Sequence, residues 1–92
     1  MNAPQLSVVA PVTERPSMRA ARLLAEARGA GREQVDALEG AMAQVIAMSM
    51  EIAEGGEAYP AGIRDLCRRL ADEVSFRAQT LEGIARSTQD AR

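Results

Sequence analysis

The sequence predicts an all-α fold: an antiparallel helical hairpin of two long helices preceded by a short helix, with two hairpins pairing into a dimeric four-helix bundle. Three observations lead there. Apolar residues make up 47% of the 92-residue chain but aromatic ones only 2%. Ala, Leu, Ile, Val and Met must therefore supply the core, which suits helix packing better than strands rich in aromatic and β-branched residues. Apolar positions recur on steps of three and four through the central and C-terminal parts. Between these parts stand Gly55, Gly56 and Pro60, in the order in which one helix stops and another starts.

Residues 1–16 contain Pro4, Pro11 and Pro16 without helical periodicity and are expected to form a flexible arm. Ser17 is the expected N-cap of a helix over residues 17–28. There Ala20, Leu23, Leu24 and Ala27 share one side, and Arg15, Arg19, Arg22 and Glu26 the other. Gly29 and Gly31 together cost ~2 kcal/mol relative to alanine, which predicts a break or kink.

The strongest helical pattern covers residues 32–54, with Val35, Leu38, Met42, Val45, Ser49 and Ile52 on an a/d seam. Adding Ile46, Met48, Met50 and Ala53 widens the apolar arc to roughly 200°, beyond the stripe of about 100° that one neighbour covers. A loop of about six residues makes the next helix, over residues 60–87, an antiparallel neighbour. Its apolar stripe holds Ile63, Leu66, Cys67, Leu70, Val74, Leu81, Ile84 and Ala85. Its outer face carries Glu73 before Arg77 and Glu82 before Arg86, the favourable i to i+4 order. Residues 89–92 are expected to fray, leaving residues 17–88 as one helical domain.

A domain this small, with one phenylalanine, rarely gains more than a few kcal/mol from a single core. No disulfide is available to a chain whose only cysteine is Cys67. Self-association is the simplest remedy, with Val35, Leu38, Met42, Val45, Ile46, Ile52, Leu66, Leu70, Val74 and Leu81 as the expected dimer core. The competing arrangement is a three-helix monomer in which residues 18–28 fold back onto the hairpin.

Charge is partitioned: residues 1–31 sum to +2, residues 32–59 to −5 and residues 60–92 to +1. Glu51, Glu54 and Glu57 sit poorly at a helix C-terminus, and Arg64, Arg68 and Arg69 poorly near an N-terminus, unless they meet across the turn. The net charge of −2 and pI of about 5.1 argue against nucleic acid as the main partner. All basic residues are arginines, as a GC-rich, bacterial coding sequence would give.

The chain has no histidine, phosphate-binding loop or nucleophile elbow, so neither catalysis nor a cofactor is expected. The spacing of Glu51, Glu54 and Glu57 offers oxygen atoms to a cation, but a solvated acidic cap is the simpler reading. Cys67, at the edge of an apolar stripe, is expected to pack as a small hydrophobe, the alternative being a redox-sensitive disulfide between copies.

Phe76 falls about 140° from Leu81 around its helix, beside Arg69 and Thr80. It points out of the expected core; the simpler reading is that Leu23 and Leu24 of the first helix cover it, and the sharper one is an anchor for an unknown larger protein. Arg15, Arg19 and Arg22 form a basic stripe that is a second candidate contact, for that protein or, as an alternative, for DNA phosphates. The N-terminal residues lack a secretory signal pattern. The apolar run over residues 41–53 falls short of the ~20 residues of a membrane span. A cytoplasmic protein without membrane contact is therefore expected. The leading functional expectation is a non-enzymatic, homodimeric regulatory module that binds a larger cytoplasmic protein.

Overall fold

The computed structural model describes residues 14–90, and the described residues form two long helices without strands. Helix α1 spans Pro16–Ala53, a 3₁₀ turn spans Gly56–Ala58, and helix α2 spans Ala61–Asp90. Most of the expected arm, residues 1–13, and the last two residues of the expected frayed end lie outside the described residues.

Two expectations about α1 are corrected. The helix starts one residue before Ser17: the Arg19 N–H donates to the Arg15 carbonyl at 2.9 Å, which puts Pro16 in the first helical position. Proline is favoured there because its missing N–H would have had no helical partner. Nor does the helix break at Gly29 and Gly31; it is continuous from Pro16 to Ala53. The separate short helix of the sequence reading is thus absent. The glycine penalty is spread among Ala, Arg, Glu and Gln, all strong helix formers, so it lowers helix stability without supplying a stop.

The chain divides into two compact units, Met1–Gln34 and Val35–Arg92. In the first, Arg22 binds the Glu14 carboxylate through two nitrogens, at 3.0 and 3.1 Å, and reaches Glu26 one turn on at 3.4 Å.

The second unit is the hairpin. Its turn begins where the Gly55 N–H bonds the Ile52 carbonyl at 3.1 Å. Gly56 then takes φ = 71°, a left-handed conformation that glycine adopts without the Cβ clash of other residues. Tyr59 closes the 3₁₀ turn by donating its N–H to the Gly56 carbonyl at 3.1 Å, and its ring lies over Gly55, where an added Cβ would stand 2.7 Å from ring carbon Cδ2. The Arg64 N–H bonds the Pro60 carbonyl at 3.0 Å, so Pro60 caps α2 from just outside its first turn.

The arginines after the turn do not pair with the acidic residues before it. Arg68 extends Nη2 to the Ala53 carbonyl at 3.0 Å, and Arg64 donates Nε to the Tyr59 carbonyl at 3.1 Å. None of the ion pairs among the described residues joins Glu51, Glu54 or Glu57 to them. A cation on the last carbonyl of α1 satisfies both an orphan acceptor and the negative end of the helix dipole. The two i to i+4 ladders do form, Glu73–Arg77 at 3.7 Å and Glu82–Arg86 at 3.1 Å, but Glu73 and Arg77 line a groove between the helices rather than an outer face.

The interior of the hairpin is built from small residues. Among the described residues Ala71, Ala53 and Ser49 are the most deeply buried, at 2%, 3% and 5% exposure, and no large side chain is fully enclosed. Around them Val35, Met42 and Ile46 of α1, and Cys67, Val74, Ala78, Leu81 and Ala85 of α2, are half-buried. Within the single hairpin the seam read from sequence divides: Leu38 and Val45 are exposed, and Ile46 and Ala53 hold interior positions. Small side chains at the contact let two helices approach closely, and the approach turns the bulkier residues on the flank outward.

Candidate docking face

The residues displaced from the interior gather on one side of the hairpin. On α1 the positions Leu38, Ala41, Val45, Met48 and Ile52 follow steps of three and four about 100° from the buried line. On α2 the corresponding flank carries Ile63, Leu66, Leu70 and Ile84. In an antiparallel pair both flanks turn to the same side. The structure shows this in a shallow groove lined by Leu38, Ala41, Met42 and Val45 from α1 and by Leu70, Glu73, Val74 and Arg77 from α2.

This face is apolar and open. Met48, Ile84 and Leu66 are about 60% exposed, and Leu38, Ile63, Leu70 and Val45 between 40 and 51%. Leu38, Val45 and Leu70 meet at the groove, Ile63 and Leu66 continue along the same flank towards the turn, and Glu73 and Arg77 separate them from Ile84. The only charges at the groove are Glu73 and Arg77.

The ten residues expected to form a dimer core are thus distributed over two surfaces. Leu38, Val45, Leu66 and Leu70 lie exposed on the open face. Val35, Met42, Ile46, Ile52, Val74 and Leu81 are half-buried, and Met42 and Val74 also line the groove floor. Sequence periodicity merged the two surfaces into one wide arc, and it passed over Ala71 and Ala78 because small residues weigh little in an apolar pattern. An Ala repeat on the α2 line Cys67, Ala71, Val74, Ala78 and Ala85 was the available signal.

The other candidates lie elsewhere. Phe76 is 65% exposed on the side of α2 away from the hairpin interior, and its carbonyl accepts a bond from the Thr80 hydroxyl at 3.1 Å. Arg69 is exposed on the same side. Cys67 is a half-buried free thiol on the interior line of α2. In the basic stripe, Arg15 and Arg19 are exposed, while the charge of Arg22 is met by Glu14 and Glu26. The hydrogen bond and charge of Arg22 hold the Glu14 carboxyl below the usual range, and those carboxylates raise the Arg22 guanidinium. Glu51, Glu54 and Glu57 are exposed, and no group of three metal-binding side chains is present among the described residues. No helix among them is long and apolar enough to cross a membrane.

The fold and its open face together define a class, an antiparallel two-helix hairpin that is apolar on one flank and charged on the others. Comparison with protein families, curated proteins and solved structures finds nothing that matches this chain.

Proposed function

We propose that the protein is a non-enzymatic interaction module: a homodimer formed through the open face, which binds and regulates a larger cytoplasmic protein through the back of α2. The observation that carries this reading is the exposed apolar flank that α1 and α2 share at the groove. Full burial of a large apolar side chain contributes ~1.5–3 kcal/mol. Scaled by their exposure, Leu38, Val45, Met48, Ile63, Leu66, Leu70 and Ile84 amount to roughly 10–20 kcal/mol when two chains cover each other. That is of the same order as the ~4–15 kcal/mol lost on association. Two hairpins face to face make a four-helix bundle. The three-helix alternative needed a turn at Gly29 and Gly31, and α1 has none there.

Covering the open face leaves Phe76 and Arg69 on the back of α2, about 90° around the helix from that face. Exposed Phe76 and, two turns before it on the same side of α2, exposed Arg69 are residue types that anchor protein partners. Light scattering on a sizing column tests the first half. The wild type is expected at twice the chain mass, and Leu70→Asp, which puts a charge on the open face, at the chain mass. A wild type that stays at the chain mass at high concentration refutes it. For the second half, a partner recovered in stoichiometric amount, resistant to nuclease, should be lost in Phe76→Ala while that variant remains dimeric. Loss of the partner with nuclease treatment would instead favour a DNA-associated role for Arg15 and Arg19.

A further inference from the structure

The open face of α2 has a regular seam in which two charged residues stand at its centre. Steps of three and four run through Ile63, Leu66, Leu70, Glu73, Arg77, Thr80 and Ile84, so Glu73 and Arg77 occupy positions where the pattern calls for apolar side chains. Both line the groove, and their mutual contact is a loose 3.7 Å pair with about two-thirds of each side chain exposed. On α1 every position of the matching seam, Leu38, Ala41, Val45, Met48 and Ile52, is apolar.

We infer that a second copy of this chain covers the face in one register, with α2 antiparallel on α2 and the two-fold axis at the level of Ser75, so that Glu73 of each copy pairs with Arg77 of the other. This rests on the homodimer proposed above. Three arguments select the register. In the face-to-face arrangement that sets α2 on the α1 of the second copy, Glu73 and Arg77 meet only apolar positions and keep no partner but each other, across a loose 3.7 Å, which makes covering them costly. A parallel α2 pair sets Glu73 against Glu73 and Arg77 against Arg77. The antiparallel pair about Ser75 makes both contacts opposite in sign.

The same axis satisfies the rest of the face. Ser75 lies at the midpoint of α2, Ala61–Asp90, so the two helices overlap along their full length. Leu66 falls opposite Ile84, two of the most exposed apolar residues of the flank. The groove is lined from Leu38 to Val45 of α1 and from Leu70 to Arg77 of α2, so the middle of that α1 stretch, Ala41, falls near the level of this axis. There α1 crosses its copy at the smallest side chain of its seam, which brings Leu38 level with Val45. A charged pair inside an otherwise apolar seam is a device that fixes register and orientation.

Charge reversal tests the register apart from the dimer itself. Full-length Glu73→Arg and Arg77→Glu are purified separately, checked for wild-type helicity by circular dichroism, and measured by light scattering alone and mixed in equal amounts. Each alone sets like charges together twice and is expected to dimerise roughly 100-fold more weakly than wild type. The mixture restores both pairs and should give a 1:1 heterodimer. The double reversal in one chain should dimerise as wild type does, which shows that neither substitution prevents folding. If the single variants dimerise like wild type, or if the mixture stays monomeric while wild type is dimeric, this register is wrong and the dimer stands. A monomeric wild type refutes both.

Discussion

Replacing Gly55 by alanine tests how the hairpin turn is held, because the backbone and the neighbouring ring make opposite demands there. Gly55 has φ = −81° and ψ = 0°, a conformation that alanine adopts freely. On backbone grounds alone, alanine stabilises by ~0.4–1 kcal/mol, through the lower entropy of the unfolded chain. The obstacle is the Tyr59 ring, with Cδ2 only 2.7 Å from where the Cβ would be. Tyr59 is 38% exposed, so displacing its ring forfeits part of the ~1.5–3 kcal/mol that full burial of a large side chain is worth, at most ~2 kcal/mol.

The expected balance is a net loss of ~1 kcal/mol for Gly55→Ala in the wild type. In a Tyr59→Ala background the sign reverses, with the same substitution neutral or stabilising by up to ~1 kcal/mol. The Glu51 carbonyl at 3.2 Å from the Cβ keeps the gain from being larger. Urea unfolding of the four proteins at one fixed concentration measures both values, fixed because association shifts apparent stability. Gly56→Ala is the control. Its φ of 71° places the cost of ~1–2 kcal/mol in the backbone, so it should be the same with and without the ring. If Gly55→Ala is equally destabilising in both backgrounds, the ring is not what excludes a side chain at this position.

Three further outcomes are expected. Arg68→Met keeps the aliphatic stem but removes the charged bond to the Ala53 carbonyl, and should lower stability by ~1–2 kcal/mol in urea unfolding; no change would mean that water replaces the arginine without loss. Gly31→Ala adds a Cβ that meets nothing within 4 Å inside a continuous helix, and should stabilise by ~0.5–1 kcal/mol with increased helical ellipticity; a loss would show that the chain needs a break there. Glu14 should titrate below the ordinary carboxylate value of 4.5 by NMR, and return towards it in Arg22→Gln. The sign follows from the lowered value: the stabilisation from this pair is present above the unfolded pKa and disappears as pH falls through the folded one. An unshifted Glu14 midpoint in the wild type would refute the pairing.

The sequence by itself determined the helical class, the two long helices, the position and glycine chemistry of the turn, and the i to i+4 ion pairs of α2. All of these rest on interactions between residues close in the chain, where spacing translates directly into geometry. It also indicated an apolar surface on the central helix too wide for one partner. Local rules failed where they competed with a long run of helix formers, as at Gly29 and Gly31, and where a carbonyl competed with a carboxylate for an arginine, as at Arg68. Only the tertiary structure decided which part of the apolar arc faces inward. That choice depends on how closely α1 and α2 approach, and the approach is set by Ser49, Ala53 and Ala71 acting together across the hairpin. Their small side chains admit the neighbouring helix, which leaves Leu38, Val45, Leu66 and Leu70 outside and creates the open face.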